Sequence, residues 1–392
     1  MIRRRHRPTS PAPPLDNDDL LSEILLRLPP LPSSLPRASL VCTRWRRLVS
    51  DRGFLRRFRA RHRKPPLLGV IQVCAYPIFA PALDPPDRIP AARFSWRLDN
   101  RHDLNDLLGV RHGRALVHVN TCRYSQRRLI VWDPVAGDRR AVAIPGGFRD
   151  RGVVVRAGEV RCVAGDGDPG HVHGGCHSSP FEVVILGTNK NRTHAFACVY
   201  SSETGIWGNV ISAAVNFGDC ICNFTTLVGN SLYCLLLGEQ RTSFFQFDLD
   251  KQITAQIDVP PDMHPDGNGH HRFGDTICRF APAENGGLLF LVVTHYTLNV
   301  WKSETNADGV VAGWVLEKTI ELDRLLSLEP GPQKTAPMLL GFSEEHNVAF
   351  VCTYIGVSMI HLESMEFKSV SQRMSLIYHP FTSFYTKELS PH

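Results

Sequence analysis

The densest set of potential metal ligands in the sequence is His171, His173, Cys176 and His177, inside a Gly-rich stretch. Imidazole and thiolate together suit a borderline-soft ion such as zinc. Such sites ordinarily draw two ligand pairs from either side of a structured segment, and so short a run does not readily reach four tetrahedral corners. The stretch therefore reads as a flexible insertion, with no metal expected. His270 and His271, in a second Gly/Asp/Pro-rich stretch, read the same way. Motifs for nucleophilic or phosphate chemistry do not occur: there is no GxSxG elbow, no HExxH, and the GDGDPG run at Gly165 to Gly170 lacks the lysine of a phosphate loop. Glu344 and Glu345 are adjacent, which in a strand or turn directs them apart. No catalytic residue and no cofactor are expected.

Positive charge is the second candidate for chemistry. Arg3, Arg4, Arg5 and Arg7 open the chain, and Arg56, Arg57, Arg59, Arg61, Arg63 and Lys64 follow further on. Clustered cations can neutralise phosphates and release counterions. Aromatic residues that would stack on bases are not interleaved with them, because Trp45, Phe54 and Phe58 fall on apolar faces. These arginines read as a solvated face or a contact for an acidic partner, and nucleic acid is not an expected ligand. The run Arg3 to Arg7 also fits a nuclear-import signal, so the expected location is cytoplasmic and/or nuclear.

The elements that must position any site divide the chain in two. Residues 1–64 hold 16 of the 44 Lys+Arg and 5 of the 38 Asp+Glu, a net charge of +11, and the remainder is net −5. A length of 392 residues with 43% hydrophobic and 21% charged residues suits a soluble protein of more than one domain. The longest apolar run, Leu288 to Val293, is far too short to span a membrane. Pro8, Pro11, Pro13 and Pro14 lie where a secretory signal would need its apolar segment. The 11 cysteines are scattered singly apart from Cys220 and Cys222, the pattern of a reduced intracellular chain.

In the basic head, Leu20, Leu21, Ile24, Leu25 and Leu28 recur at helical spacing behind Asn17, a capable N-cap, and Pro29 and Pro30 stop the helix. A second helix is predicted from Ser33 or Ser34 to Val49, with Pro36 in its first turn and Ala38, Val41, Trp45, Leu48 and Val49 along one stripe. Gly53 resets the chain, and Phe54, Leu55 and Phe58 predict a short third helix. From about residue 67 the pattern changes to short β-rich runs separated by turn residues. Leu129 to Asp133, Phe181 to Gly187, Ala195 to Ser201, Ser231 to Leu237, Ser243 to Leu249, Leu288 to Thr294, Asn347 to Thr353 and Gly356 to Leu362 predict antiparallel strands. A loose repeat, an apolar strand ending in Trp or Phe and followed by a Gly or Asp turn, recurs at Val131 to Asp133, Tyr200 to Thr204, Gln246 to Asp248, Val300 to Trp301 and Ile360 to Leu362. So many short strands with a blade-sized period favour a β-propeller of six to eight blades.

The segments Asp18 to Pro30 (DDLLSEILLRLPP) and Leu35 to Phe58 (LPRASLVCTRWRRLVSDRGFLRRF) resemble an F-box. The whole chain resembles the plant F-box families with a divergent C-terminal propeller, kelch-like or F-box-associated, on the weak repeat and on fragments such as WDP at Trp132 to Pro134 and HPFTSFY at His379 to Tyr385. The expected fold class is α+β multidomain: a basic, Pro-rich disordered tail over 1–14, a three-helix F-box over 15–64, a Pro-rich linker or first blade over 65–100 and the propeller over 101–390. The family usually has Leu-Pro directly before the Asp-Asp, where this chain has Asp16-Asn17.

The resemblance implies a Skp-family adaptor and, through it, a cullin scaffold as partners, with a protein substrate of unknown identity on the propeller and no membrane. Adaptor contacts carried over from the family fall on Leu20, Ile24, Leu25, Pro29, Leu40, Val41, Cys42 and Trp45. Val41, Cys42 and Trp45 have a competing reading as the small domain's own core. The implied function is the substrate-recognition subunit of an SCF-type ubiquitin ligase; the alternative is a propeller binding module or small-ligand sensor whose F-box is degenerate.

Overall fold

The computed structural model describes residues 17–73, 77–94, 96, 104–120, 127–164, 171–215, 220–237, 242–260, 278–283, 287–305, 311–329, 331, 335–371 and 377–385. The basic tail, the GDGDPG run and His270–His271 lie outside them.

The head contains four helices, not three: α1 (Asp18–Leu25), α2 (Ser34–Ser39), α3 (Thr43–Val49) and α4 (Arg52–His62). Asn17 caps α1 as its residue type predicts, its Oδ1 accepting from the amides of Asp19 at 2.9 Å and Leu20 at 3.2 Å. The single second helix of the sequence reading is interrupted at Leu40–Cys42, where Cys42 is fully extended (φ −165°, ψ 169°). Gly53 does not reset the chain either. It lies inside α4, whose cap is Asp51, accepting from the Phe54 amide at 2.8 Å. Leu21, Leu25, Leu26, Leu35, Ala38, Val49, Phe54 and Phe58 form the core of this unit.

Six antiparallel sheets follow. The second is β3 (Leu104–Arg111), β4 (Arg114–Asn120), β5 (Arg127–Trp132) and β6 (Arg139–Ala143). The third is β7 (Val154–Cys162), β8 (Phe181–Thr188), β9 (His194–Ser201) and β10 (Ile206–Trp207), with β11 (Ile211–Ala214) also on β9. The fourth is β12 (Cys220–Val228), β13 (Ser231–Leu237), β14 (Thr242–Asp248) and β15 (Ile253–Asp258). The fifth is β16 (Cys278–Pro282), β17 (Leu288–Thr294), β18 (Thr297–Thr305) and β19 (Val311–Glu321), and the sixth is β20 (Met338–Ser343), β21 (Val348–Thr353), β22 (Gly356–His361) and β23 (Phe367–Ser371). The first sheet joins the two ends of the domain: β1 (Leu67–Val73) and β2 (Pro77–Pro81) pair with β24 (Tyr378–Thr382), so Ile71 faces His379 and Leu67 faces Thr382. Part of the 65–100 segment is therefore first blade and not linker.

Each sheet packs face to face on the next, so the apolar residues of β1–β24 collect between blades. Leu116 and Val131 meet Val183 and Ile185 between blades two and three. Leu291 and Val300 meet Val351 and Ile360 between five and six, and Val70 and Tyr378 meet Phe350 between six and one. Equivalent clusters fill the other three junctions. The ring is thus a closed six-bladed propeller, sealed by the strand pairing of β24 with β1.

Candidate functional site

The interruption between α2 and α3 determines what the helical head presents. A continuous helix would have turned Val41 toward the core; the extended Cys42 instead leaves Leu40 74% and Val41 61% exposed. On α1, Leu21 and Leu25 point inward, while Leu20 and Ile24, four residues apart on the opposite face, are 50% and 45% exposed. Pro29 and Cys42 are exposed and Trp45 is half-buried against the domain core. Leu25 departs from the sequence reading: at 1% exposure it is a core residue that an adaptor cannot touch directly. Val41 and Cys42 do not fill the core, whereas Trp45 in part does.

Between α1 and the α3–α4 pair runs an open groove of about 1040 Å³, lined in part by Leu40, Thr43, Arg46 and Phe54. Its walls are tied by Arg44 Nε donating to Asp18 Oδ1 at 2.8 Å and Arg57 Nη2 donating to the Ser22 hydroxyl at 2.7 Å. Large exposed aliphatic side chains beside a polar-rimmed groove have the make-up of a protein-docking surface.

The propeller centre carries charge that the sequence reading did not find. Inner strands β3, β7, β16, β20 and β24 bring Arg111, Glu159, Arg279 and His379 inward, and Glu344 follows directly after β20. Arg111 Nη2 donates to Glu344 Oε2 at 3.2 Å, and Arg279 donates to the carbonyls of Leu340 at 2.7 Å and Cys278 at 2.9 Å. Burial would lower Arg111, but Glu344, Glu159 and Glu345 hold it above its ordinary value. Glu344 and Glu345 therefore do not diverge: both approach Arg111, and Glu345 also accepts from Thr382. Glu159 is pushed up to about 8 by burial, against the pull of Arg111. His379 is held down to about 3 by burial and by Arg279. A neutral carboxyl beside an engaged guanidinium keeps the buried charge at the centre low.

The Cys/His set is assembled differently from its order in the sequence. His177 leaves it, its Nδ1 lying 2.6 Å from Asp133 Oδ2, and Cys162, the last residue of β7, takes its place. The ligand atoms of Cys162, His171, His173 and Cys176 all lie within 4.8 Å of one another. The Cys176 thiol donates to Cys162, holding Cys162 well below the usual thiol range and raising its own value. The spacing Cys162-x8-His171-x-His173-x2-Cys176 was available in the sequence, but only the end of a strand brings its first member back to the other three.

Residues 17–57 match the F-box domain family. No curated protein matches the chain by sequence. Among solved structures, the chain is similar to the Dos1 propeller, at 10% identity and a TM-score of 0.35 over 68% of this chain and 61% of that one. It is also similar to the uncharacterized protein lmo1340 from Listeria monocytogenes EGD-e, at 8% identity and a TM-score of 0.36 over 72% and 86%. A third is the β-propeller domain of the Trilobed protease from Pyrococcus furiosus, at 8% identity and 0.34 over 70% and 86%. The chain spans about three fifths of the Dos1 propeller it matches. Likenesses of this size carry nothing about function; the blade count rests on the strand pairing above. The chain is an F-box domain followed by a six-bladed propeller, and no helix among the described residues is long and apolar enough to cross a membrane.

Proposed function

We propose that this chain is the substrate-recognition subunit of an SCF-type ubiquitin ligase, of the plant kelch-like or F-box-associated kind, acting in the cytoplasm or nucleus. The observation that carries this reading is the exposure of Leu40 and Val41 at the α2–α3 interruption of a unit that matches the F-box. Burying four aliphatic side chains at up to roughly 1.5–3 kcal/mol each is of the same size as an association cost of about 4–15 kcal/mol, so all four are needed together. The Skp-family adaptor covers Leu20, Ile24, Leu40 and Val41, and a cullin joins through the adaptor.

The propeller then holds the target. The chain enters the ring at Leu67, the end of β1 that faces Thr382, so the F-box attaches at the face carrying the β3–β4, β7–β8 and β20–β21 connections. The β8–β9, β17–β18 and β21–β22 turns lie at the opposite face, which carries the target in this reading. The chain performs no bond chemistry. It raises the effective concentration of a target lysine near activated ubiquitin.

The experiment is reconstitution of full-length chain, adaptor and cullin by size-exclusion chromatography. Co-elution of all three is expected. A folded chain that elutes alone beside several adaptors contradicts the reading and leaves the propeller as a binding module in its own right.

A further inference from the structure

The β7–β8 connection of blade three departs from the tight turns of its neighbours. Cys162 and Phe181 are paired across the hairpin and Val163 donates to the Pro180 carbonyl at 3.1 Å, so a long stretch of sequence separates strand positions that stand side by side. The returning segment runs against three other parts of the molecule. Gly174 accepts from the Ser383 hydroxyl at 2.9 Å and the Phe384 amide at 3.0 Å, just beyond the ring-closing strand β24. A Cβ on Gly174 would meet Pro65 at 2.7 Å, and one on Gly175 would meet Arg59 of α4 at 3.1 Å. Arg114 of blade two donates to the carbonyls of Cys176 and Ser179. The Gly174-Gly175 pair between His173 and Cys176 is what allows so close an approach, with Gly174 at φ +82°.

Inside this knuckle the four candidate ligand atoms stand at specific distances. His171 Nε2 is 3.5 Å from Cys162 Sγ, 3.5 Å from Cys176 Sγ and 3.4 Å from His173 Nδ1. His173 Nδ1 is 3.6 Å from Cys176 Sγ. For tetrahedral zinc, bond lengths of about 2.05 Å to nitrogen and about 2.3 Å to sulfur give N–N edges of about 3.4 Å and N–S edges of about 3.5–3.6 Å. Four of the six edges coincide with those values, and the remaining two, both from Cys162, are no longer than 4.8 Å. Two thiolates and two neutral imidazoles also balance a divalent charge, which a buried site requires.

The surroundings hold these ligands in place. His112, from the β3–β4 turn, stacks on His173 with ring centroids 3.7 Å apart and 5° between planes, and its Nδ1 accepts from the Cys162 amide at 3.1 Å. One imidazole thus fixes both the ring of one ligand and the backbone of another, as outer residues of zinc sites do.

We propose that Cys162, His171, His173 and Cys176 bind one zinc ion as a closed structural site. Four protein ligands leave no position open for water or substrate, so the ion staples and does not catalyse. What it staples is the junction where the last F-box helix, the closing strand and blades two and three meet. The site is independent of whether the F-box engages an adaptor.

The test is metal analysis of the full-length chain, purified under reducing conditions and dialysed against metal-free buffer. About one zinc per chain is expected, falling at least tenfold in Cys162→Ser and in Cys176→Ser. His177→Ala, which touches Asp133 and not the cluster, retains the ion. His112→Ala keeps the ligands but weakens zinc retention against a competing chelator about 10- to 100-fold. Should the serine variants fail to fold, cobalt(II) added to chelator-treated wild-type chain gives the intense visible bands of tetrahedral thiolate coordination. A wild-type chain free of zinc, a Cys162–Cys176 disulfide in it, full zinc content in the serine variants, or weakly absorbing octahedral cobalt would each overturn the proposal.

Discussion

Leu20 and Leu25 lie within two turns of α1, and their substitutions should behave oppositely. Leu25 is sealed in the F-box core, so Leu25→Ala leaves a cavity and destabilises that unit by about 2–5 kcal/mol. Thermal or urea unfolding should show this loss in the head while Leu20→Ala changes stability little and affects only partner binding. Equal stability losses from the two would contradict the assignment of faces. Glu159 makes a pH prediction. Its carboxyl stands at about 8 in the folded chain against an ordinary 4.5, so the folded state holds a proton that the unfolded state releases. Stability from this group is full below pH 4.5 and is lost as pH rises through 8. His112, His346 and His379, depressed to about 2, 4 and 3, work in the other sense: their contribution is present above pH 6.5 and lost as pH falls. Above 6.5 the histidines are silent, so the wild-type chain should lose about 1–2 kcal/mol between pH 6.5 and 8, and Glu159→Gln should lose less. Urea titrations at these two pH values check it; identical losses would place Glu159 in water.

Among the elements, the middle strands of the blades were the legible ones. Ser231–Leu237 and Leu288–Thr294 stand as the sequence predicts, and Phe181, Ala195, Ser243, Asn347 and Gly356 each lie at or within a residue of a strand's start. These strands face apolar neighbours on both sides, so they read as continuous apolar runs. Inner strands were not legible because they alternate core residues with channel residues such as Glu159 and Arg279. Outer strands such as β6 and β15 were missed because one face is solvated. The loose repeat marks the turn from third to fourth strand: Gly137 donates to the Asp133 carbonyl at 2.8 Å and Gly205 to that of Ser201 at 2.9 Å. In the head, the one long second helix failed because an apolar stripe cannot report a three-residue interruption. That interruption is also what exposes Leu40 and Val41, so the most informative feature of the candidate surface was the least visible. The seam gives a prediction of its own. A Cβ on Gly341 of β20 would stand 2.3 Å from the Tyr378 carbonyl of β24, where blade six meets the closing strand. Gly341→Ala should destabilise the propeller by about 1–3 kcal/mol, read as a lower urea midpoint; an unchanged midpoint would mean that the closing strand is not held there.

For the whole molecule, two units of different physics are joined at one place. A small helical head that leaves Leu20, Ile24, Leu40 and Val41 exposed together precedes a ring whose core is distributed between its blades and whose exposed apolar residues, such as Ile206, Ile253 and Ile355, are scattered over different blades. In the proposed function the head docks at one end and the ring presents a binding face at the other. The most direct measurement is calorimetric titration of the full-length chain with a purified Skp-family adaptor, alongside the Leu40→Asp/Val41→Asp double variant. Both residues are exposed, so the variant should fold and melt as wild type does. Saturable one-to-one binding by wild type, weakened at least tenfold in the variant, is the result this account predicts; equal binding by the two, or none by a folded wild-type chain, contradicts it.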